Sequence, residues 1–285
     1  MRSAAFRHWP ARILLFVITV LLLAPIVLTF LFSFFSPAEM TAYMSTRNVY
    51  RSGYFMEIRL IPRSFSLVQY YRVLVSDRSI LHYYFNSMSY ALLILAGQLL
   101  ILPSFAFALC FSRFRFRNAL SFAVVLLMVL PFQVIMVPNV LTLRALGLLD
   151  TQWAIVLPMT VWPFGAFLLR QYMLTIPRSM LEAAQLDGAH AAGAFFHIVL
   201  PVSKPVIGTL IALSFAECWN LVEQPLTYLK VRTDLYPLSV VLGQLSDRFT
   251  GIEFAGAVLF VLPSLFIYLY FQEDIIESIR MADEK

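Results

Sequence analysis

Side chains able to do chemistry are scarce in this sequence, and most fall inside or beside long apolar runs. The four histidines, His8, His82, His190 and His197, include no HExxH pair, and His190 and His197 stand seven apart among small and apolar neighbours. On a helix that interval fits packing or an interface contact better than metal ligation. Cys110 and Cys218 both lie in apolar stretches and form neither a CxxC pair nor a disulfide framework. There is no phosphate-cradling GxxxxGKS/T loop, no GxGxxG and no GxSxG, so the chain has neither a nucleotide site nor an elbow serine of its own. Two carboxylates interrupt the apolar run Pro205 to Leu229, Glu217 and Glu223. Glu217, Asn220 and Gln224, beside Trp219, follow i, i+3, i+7 and would share one face of a continuous helix, with Glu223 projecting elsewhere. An ionisable group so placed marks a functional path, although hydrogen bonding between helices produces the same stripe. A cavity or subunit interface is favoured over direct contact with a solute.

A second constellation lies between two hydrophobic runs, where residues 182 to 201 read EAAQLDGAHAAGAFFHIVLP. Pro177 suits a first helical turn, and Ser179 with Glu182 three residues on makes a capping-box pattern. Ala183, Ala184 and Leu186 favour helix, while Gly188 can take the left-handed conformation that ends one. A second helix is expected from Ala189 to Val199, stopped by Pro201. The pattern predicts helix, glycine hinge, helix. Its simplest role is a self-capped surface helix, but a connection of roughly 30 residues is long for two membrane spans.

The elements that must hold these groups are set by composition. Hydrophobic residues make up 60% and charged residues 13%, against roughly 45–50% and 25% in soluble domains. Apolar runs long enough to span a bilayer extend from Ile13 to Phe35, Tyr83 to Ser112, Asn118 to Leu143, Thr151 to Leu169 and Phe254 to Gln272, and Pro205 to Leu229 makes a sixth. The expected fold class is therefore all-α and integral to the membrane, with six transmembrane helices and a cytoplasmic loop between the fourth and fifth. The first run, 23 residues behind Arg2, Arg7 and Arg12 with no A-x-A site after it, reads as an uncleaved helix, not a signal peptide. Expected divisions are 1–82, a first helix plus an extracytoplasmic segment; 83–276, the core; and 277–285, a cytoplasmic tail.

Lysine and arginine totals on the two sides nearly balance, so orientation rests on local density. Arg113, Arg115 and Arg117 crowd one short connection, which places it, both termini and the 182–201 passage in the cytoplasm. The net charge of +5 is spread over the loops, and suits anionic lipid, not nucleic acid. Between Ser36 and Tyr83 on the outer side, arginines alternate with tyrosines, as interfacial anchors or as a docking surface for an external partner.

Glu182-Ala183-Ala184, Gly188 after three further residues, and Ile198-x-Leu200-Pro201 after nine more resemble the EAA loop of ABC importer permeases. The text IPRSMLEAAQLDGAH, with Trp219-Asn220 and Pro225-Leu226, is similar to the carbohydrate (MalG-like) branch of that family, and weaker echoes extend the likeness over most of Pro62 to Gln272. The resemblance implies a bacterial or archaeal cytoplasmic-membrane subunit without an enzymatic site. Its partners would be a second permease, two ATPase subunits that hold the ATP and Mg, and an extracytoplasmic solute-binding protein. Glu182, Ala183, Ala184, Asp187, Gly188, Ile198, Leu200 and Pro201 would then form the ATPase-coupling loop. Glu217, Trp219, Asn220 and Gln224 would line a translocation path or subunit interface. The solute implied is a sugar or oligosaccharide, with a polyamine, phosphate or glycerophosphodiester as the alternative; a membrane anchor or a lipid-active enzyme is the more remote reading. The family's glycine-containing tail is not matched, since Ser278 and Ala282 stand where glycines are expected, and segment 36–60 is longer than the family pattern.

Overall fold

The computed structural model describes residues 9–45, 60–76, 78–245 and 251–283. His8 and most of segment 36–60 lie outside these residues. The described chain is helical with no strand, as it must be where lipid cannot satisfy backbone groups. Four stretches are long and apolar enough to cross a membrane: Arg12–Phe32, Ser79–Phe111, Trp153–Met173 and Ile252–Arg280. Two bent pairs, Arg117–Val129 with Phe132–Ala145 at 110° and Ala191–Val202 with Lys204–Trp219 at 71°, raise the number to six if each pair is one span.

In chain order the helices are α1 (Trp9–Phe32), α2 (Pro37–Ser45), α3 (Val68–Tyr71), α4 (Arg78–Phe111), α5 (Arg117–Val129), α6 (Phe132–Ala145), α7 (Trp153–Thr160), α8 (Pro163–Met173) and α9 (Arg178–Leu186). They continue as α10 (Ala191–Val202, with a π turn at Phe195–Val199), α11 (Lys204–Trp219), α12 (Glu223–Tyr228), α13 (Leu238–Leu245) and α14 (Ile252–Asp283). Contacts divide the chain into two compact units. The smaller contains the described residues up to His82 with Leu242–Val261, and the larger Tyr83–Val241 with residues from Leu262 on. In the smaller unit Ser33 hydrogen-bonds Tyr70 at 2.7 Å, and the buried Gln69 side chain donates to the Phe35 carbonyl at 3.0 Å. The larger unit holds a core of Leu102, Leu109, Leu169, Met173, Val206 and Leu210, drawn from α4, α8 and α11.

Three expected continuous helices are interrupted, two directly before a proline and one a turn ahead of it. The residue before proline is pushed away from the α region, and Leu130 before Pro131 is extended (φ −70°, ψ 126°), as is Trp162 before Pro163 (φ −100°, ψ 104°). The span expected over Pro205 to Leu229 ends at Trp219, because Pro225 has no N–H for the Leu221 carbonyl four residues back. The Ser239 hydroxyl donates to that carbonyl instead. Pro201 does not stop α10 either. The π turn ahead of it widens the helix at the ring, and the bend falls at Ser203. At the other end of the chain α14 continues without a break past 276. Ser278, at one of the unmatched glycine positions, is buried and accepts a 2.9 Å hydrogen bond from Thr209 of α11.

Candidate functional site: a cavity at the helix breaks and a seated loop

The proline breaks converge. A cavity of about 510 Å³ in the larger unit is lined by Leu130 and Phe132 from the α5–α6 break, and by Val161, Trp162 and Phe164 from the α7–α8 break. Glu217 near the end of α11 and Gln224 and Tyr228 of α12 complete its polar side with Asn139. Irregular backbone at membrane depth is tolerated only where protein or a water-filled cavity covers it, and the chain obeys this in detail. Pro163 leaves the Met159 carbonyl without its helical donor, and the buried Gln98 side chain of α4 supplies one at 2.8 Å. The Ser214 hydroxyl of α11 donates to the other end of the same amide. Gly97 permits this approach, since a Cβ there would lie 2.7 Å from a Thr160 methyl. The break that turns Trp162 into the cavity is therefore held by two neighbouring helices.

Within the cavity Trp162 and Glu217 line the same wall region, and Asn139 donates to the Tyr228 hydroxyl at 3.2 Å. Of the residues expected along the path, Glu217 and Gln224 meet there although a helix break separates them. Trp219 does not join them: it is fully buried, stacked on Phe215 at 5.3 Å and edge-on to Tyr84. Asn220 is exposed at the end of α11 and returns its side chain to the Ala216 carbonyl. Glu223 lies outside the lining, its carboxylate taken by the Gln133 amide at 3.2 and 3.3 Å. Trp162, Asn139 and Tyr228 also line the cavity, and the sequence signal for them is the prolines spaced through the apolar runs.

The second part of the site is the α9–α10 loop. Helix α9 ends in a Schellman arrangement, with Gly188 N–H on Gln185 O at 3.0 Å and Ala189 N–H on Ala184 O at 2.9 Å. Gly188 has φ +86°, the left-handed conformation expected of it. The capping box is absent. Pro177 occupies the N-cap position, so Ser179 is already inside the helix and no side chain caps it. Leu181, Ala184, Ala194, Phe195 and Val199 are buried, and most of them join the core of the spans. Glu182, Ala183, Asp187 and Pro201 are exposed, Ile198 and Leu200 are half-buried, and Leu186 is 90% exposed. His190 stands at the start of α10, and His197 engages the Gly193 carbonyl at 3.0 Å. Among the described residues no three His, Cys, Asp or Glu side chains group as metal ligands.

The sequence profile of the family described as "Binding-protein-dependent transport system inner membrane component" matches residues 100–273. The arabinooligosaccharides transport system permease protein AraQ of Bacillus subtilis (strain 168) is 30% identical over 206 residues, 71% of this chain and 73% of that protein. The sn-glycerol-3-phosphate transport system permease protein UgpE of Yersinia enterocolitica is 35% identical over 136 residues, 48% of each. Among solved structures, a bacterial ABC transporter involved in import of the acidic polysaccharide alginate superposes with a TM-score of 0.79 at 25% identity, covering 96% of this chain and 98% of that one.

Proposed function

The chain belongs to the family of binding-protein-dependent transport system inner membrane components, and from that premise we propose that it is the permease subunit of an ATP-driven importer of a sugar or oligosaccharide. It pairs with a second permease, receives solute from an extracytoplasmic binding protein, and is driven by two ATPase subunits that bind the ATP and Mg. The observation that carries this reading is the two-sided loop. Its inner face is packed into the core of the spans, while Glu182, Ala183, Leu186 and Asp187 are left to a partner. An exposed leucine at the end of a short helix suits a groove on another protein. Movement of that partner would then pass through Leu181, Ala194 and Val199 to α4, α8 and α11.

Such coupling needs contacts that differ between two states. Gly188→Val tests it, because a β-branched residue is strained at this φ and its bulk would stand on the partner side, where the structure leaves open space. In the complete complex reconstituted in lipid, we expect normal assembly but loss of both uptake and the stimulation of ATPase by loaded binding protein. Gly193→Ala is the control, since its Cβ meets only Ala189 at an ordinary 3.8 Å. If Gly188→Val assembles and retains both activities, the loop is not the coupling element.

A further inference from the structure

The cavity's chemistry goes further than a passage. Its volume of about 510 Å³ falls within the roughly 300–1,000 Å³ usual for small-molecule sites. Among the described residues Glu217 is the one charged side chain lining it, and none of those lining it is a lysine or arginine. Nearby Glu223 is held by a neutral amide, that of Gln133. Around Glu217 stand Asn139, Gln224 and the Tyr228 hydroxyl, all neutral and able to donate or accept, and the aromatic faces of Phe132 and Trp162. Aromatic planes bury the C–H faces of a sugar ring while amide, hydroxyl and carboxylate groups meet its hydroxyls. A carboxylate or phosphate brought into the same space would face Glu217 with no lining cation to offset it.

We infer that this subunit itself contacts the passing solute in the cavity at the helix breaks, and that Glu217 makes it selective for an uncharged polyhydroxylated solute against uronic-acid sugars and sugar phosphates. This rests on the transport reading above. It assigns Glu217 a direct role as hydroxyl acceptor and anion excluder, and it assigns Trp162, which lines the same cavity, the stacking plane.

Selection by the binding protein has to be separated from selection here, so the test omits that protein. A cysteine at the cavity-lining, partly exposed Leu213 (L213C) is placed in the permease–ATPase complex. Its rate of modification by a small maleimide is followed with neutral disaccharides, the matching uronic-acid disaccharides and spermidine. The parent chain, whose Cys110 and Cys218 are buried, provides the background. The expected result is protection by at least one neutral disaccharide, with uronic-acid partners weaker on the order of tenfold, as for like charges about 10 Å apart at an effective dielectric near 20. Adding E217Q should erase that discrimination. The inference is overturned if a uronic-acid sugar or spermidine protects as well as the best neutral sugar. It is equally overturned if E217Q leaves the discrimination intact, or if no solute protects although the full importer takes solute up. ATP-driven uptake of the same panel by the complete wild-type importer separates the two levels. Absence of uptake for every solute refutes the transport reading and this inference together, whereas uptake without protection refutes only the cavity assignment.

Discussion

Pro163 and Gln98 show at the scale of single residues how the cavity is kept open. Pro163 removes one N–H from a membrane-embedded helix, and the amide of Gln98 replaces it at 2.8 Å while Ser214 satisfies that amide's oxygen. In a low-dielectric interior an unmet carbonyl costs about 1–3 kcal/mol. Gln98→Leu should therefore lower the thermal stability of the purified complex by an amount in that range. The double variant with Ser214→Ala should cost less than the two single changes summed, because the interaction is already lost. Strict additivity in unfolding measurements would mean that the three groups do not act as a unit. Glu217 and Gln224 could be named from sequence because a polar side chain in an apolar run stands out. Trp162, Asn139 and Gln98 could not, because their roles depend on which helix lies next to a break, and helical periodicity describes only one helix at a time.

Elements were legible where the signal was local. The turn at Gly188 follows from a glycine placed after a run of helix formers, and both its left-handed φ of +86° and its Schellman bonds are present. The same helix starts two residues earlier than its capping pattern suggests, which is enough to make Ser179 an ordinary first-turn residue and not a cap. Ser179→Ala should accordingly leave stability within about 0.5 kcal/mol of the parent, instead of the roughly 1 kcal/mol lost with a real N-cap. Leu186→Asp on the same helix should also leave thermal stability unchanged, since Leu186 is 90% exposed. It should nevertheless reduce ATP-driven uptake by about tenfold or more, as loss of a buried interface anchor does. A stability loss without an uptake defect would place Leu186 in the fold and not at the partner. The broken spans were harder to see, because composition over 25 residues reports apolarity and not direction. Pro131 and Pro225 turn the chain without making it any less hydrophobic.

At the scale of the molecule, the larger unit has two chemically different ends, and their contrast argues its orientation. One end gathers the α4–α5 connection and the α9–α10 loop. Arg117 hydrogen-bonds the Leu109 carbonyl, Cys110 lies against the Arg170 carbonyl, and Leu109, Ile176 and Leu181 share a core. Arg113, Arg115, Arg117, Arg170, Arg178 and Lys204 therefore belong to this end, together with the acidic Glu182, Asp187, Asp274 and Glu277. The opposite end is built around residues 230–238. Asn86 and Tyr90 of α4 donate to the carbonyls of Asp234, Tyr236 and Leu235, and Asp150, at φ 58°, accepts the Val231 N–H at 2.7 Å. Fewer basic residues stand there: Arg232 and Asp234 form a two-point pair at 2.9 and 2.8 Å, and that bond raises the guanidinium pKa above its ordinary value. Positive residues close to span ends are retained in the cytoplasm, so the arginine-rich end with the α9–α10 loop should face inward and residues 230–236 outward. Single cysteines at the exposed Thr233 and the exposed Ser179 measure this directly, over the background of two buried native cysteines. With a membrane-impermeant maleimide on intact cells, Thr233→Cys should label and Ser179→Cys should label only after permeabilisation. The reverse pattern would invert the chain, leave Glu182 to Gly188 out of reach of any ATP-hydrolysing partner, and remove the proposed coupling at its root.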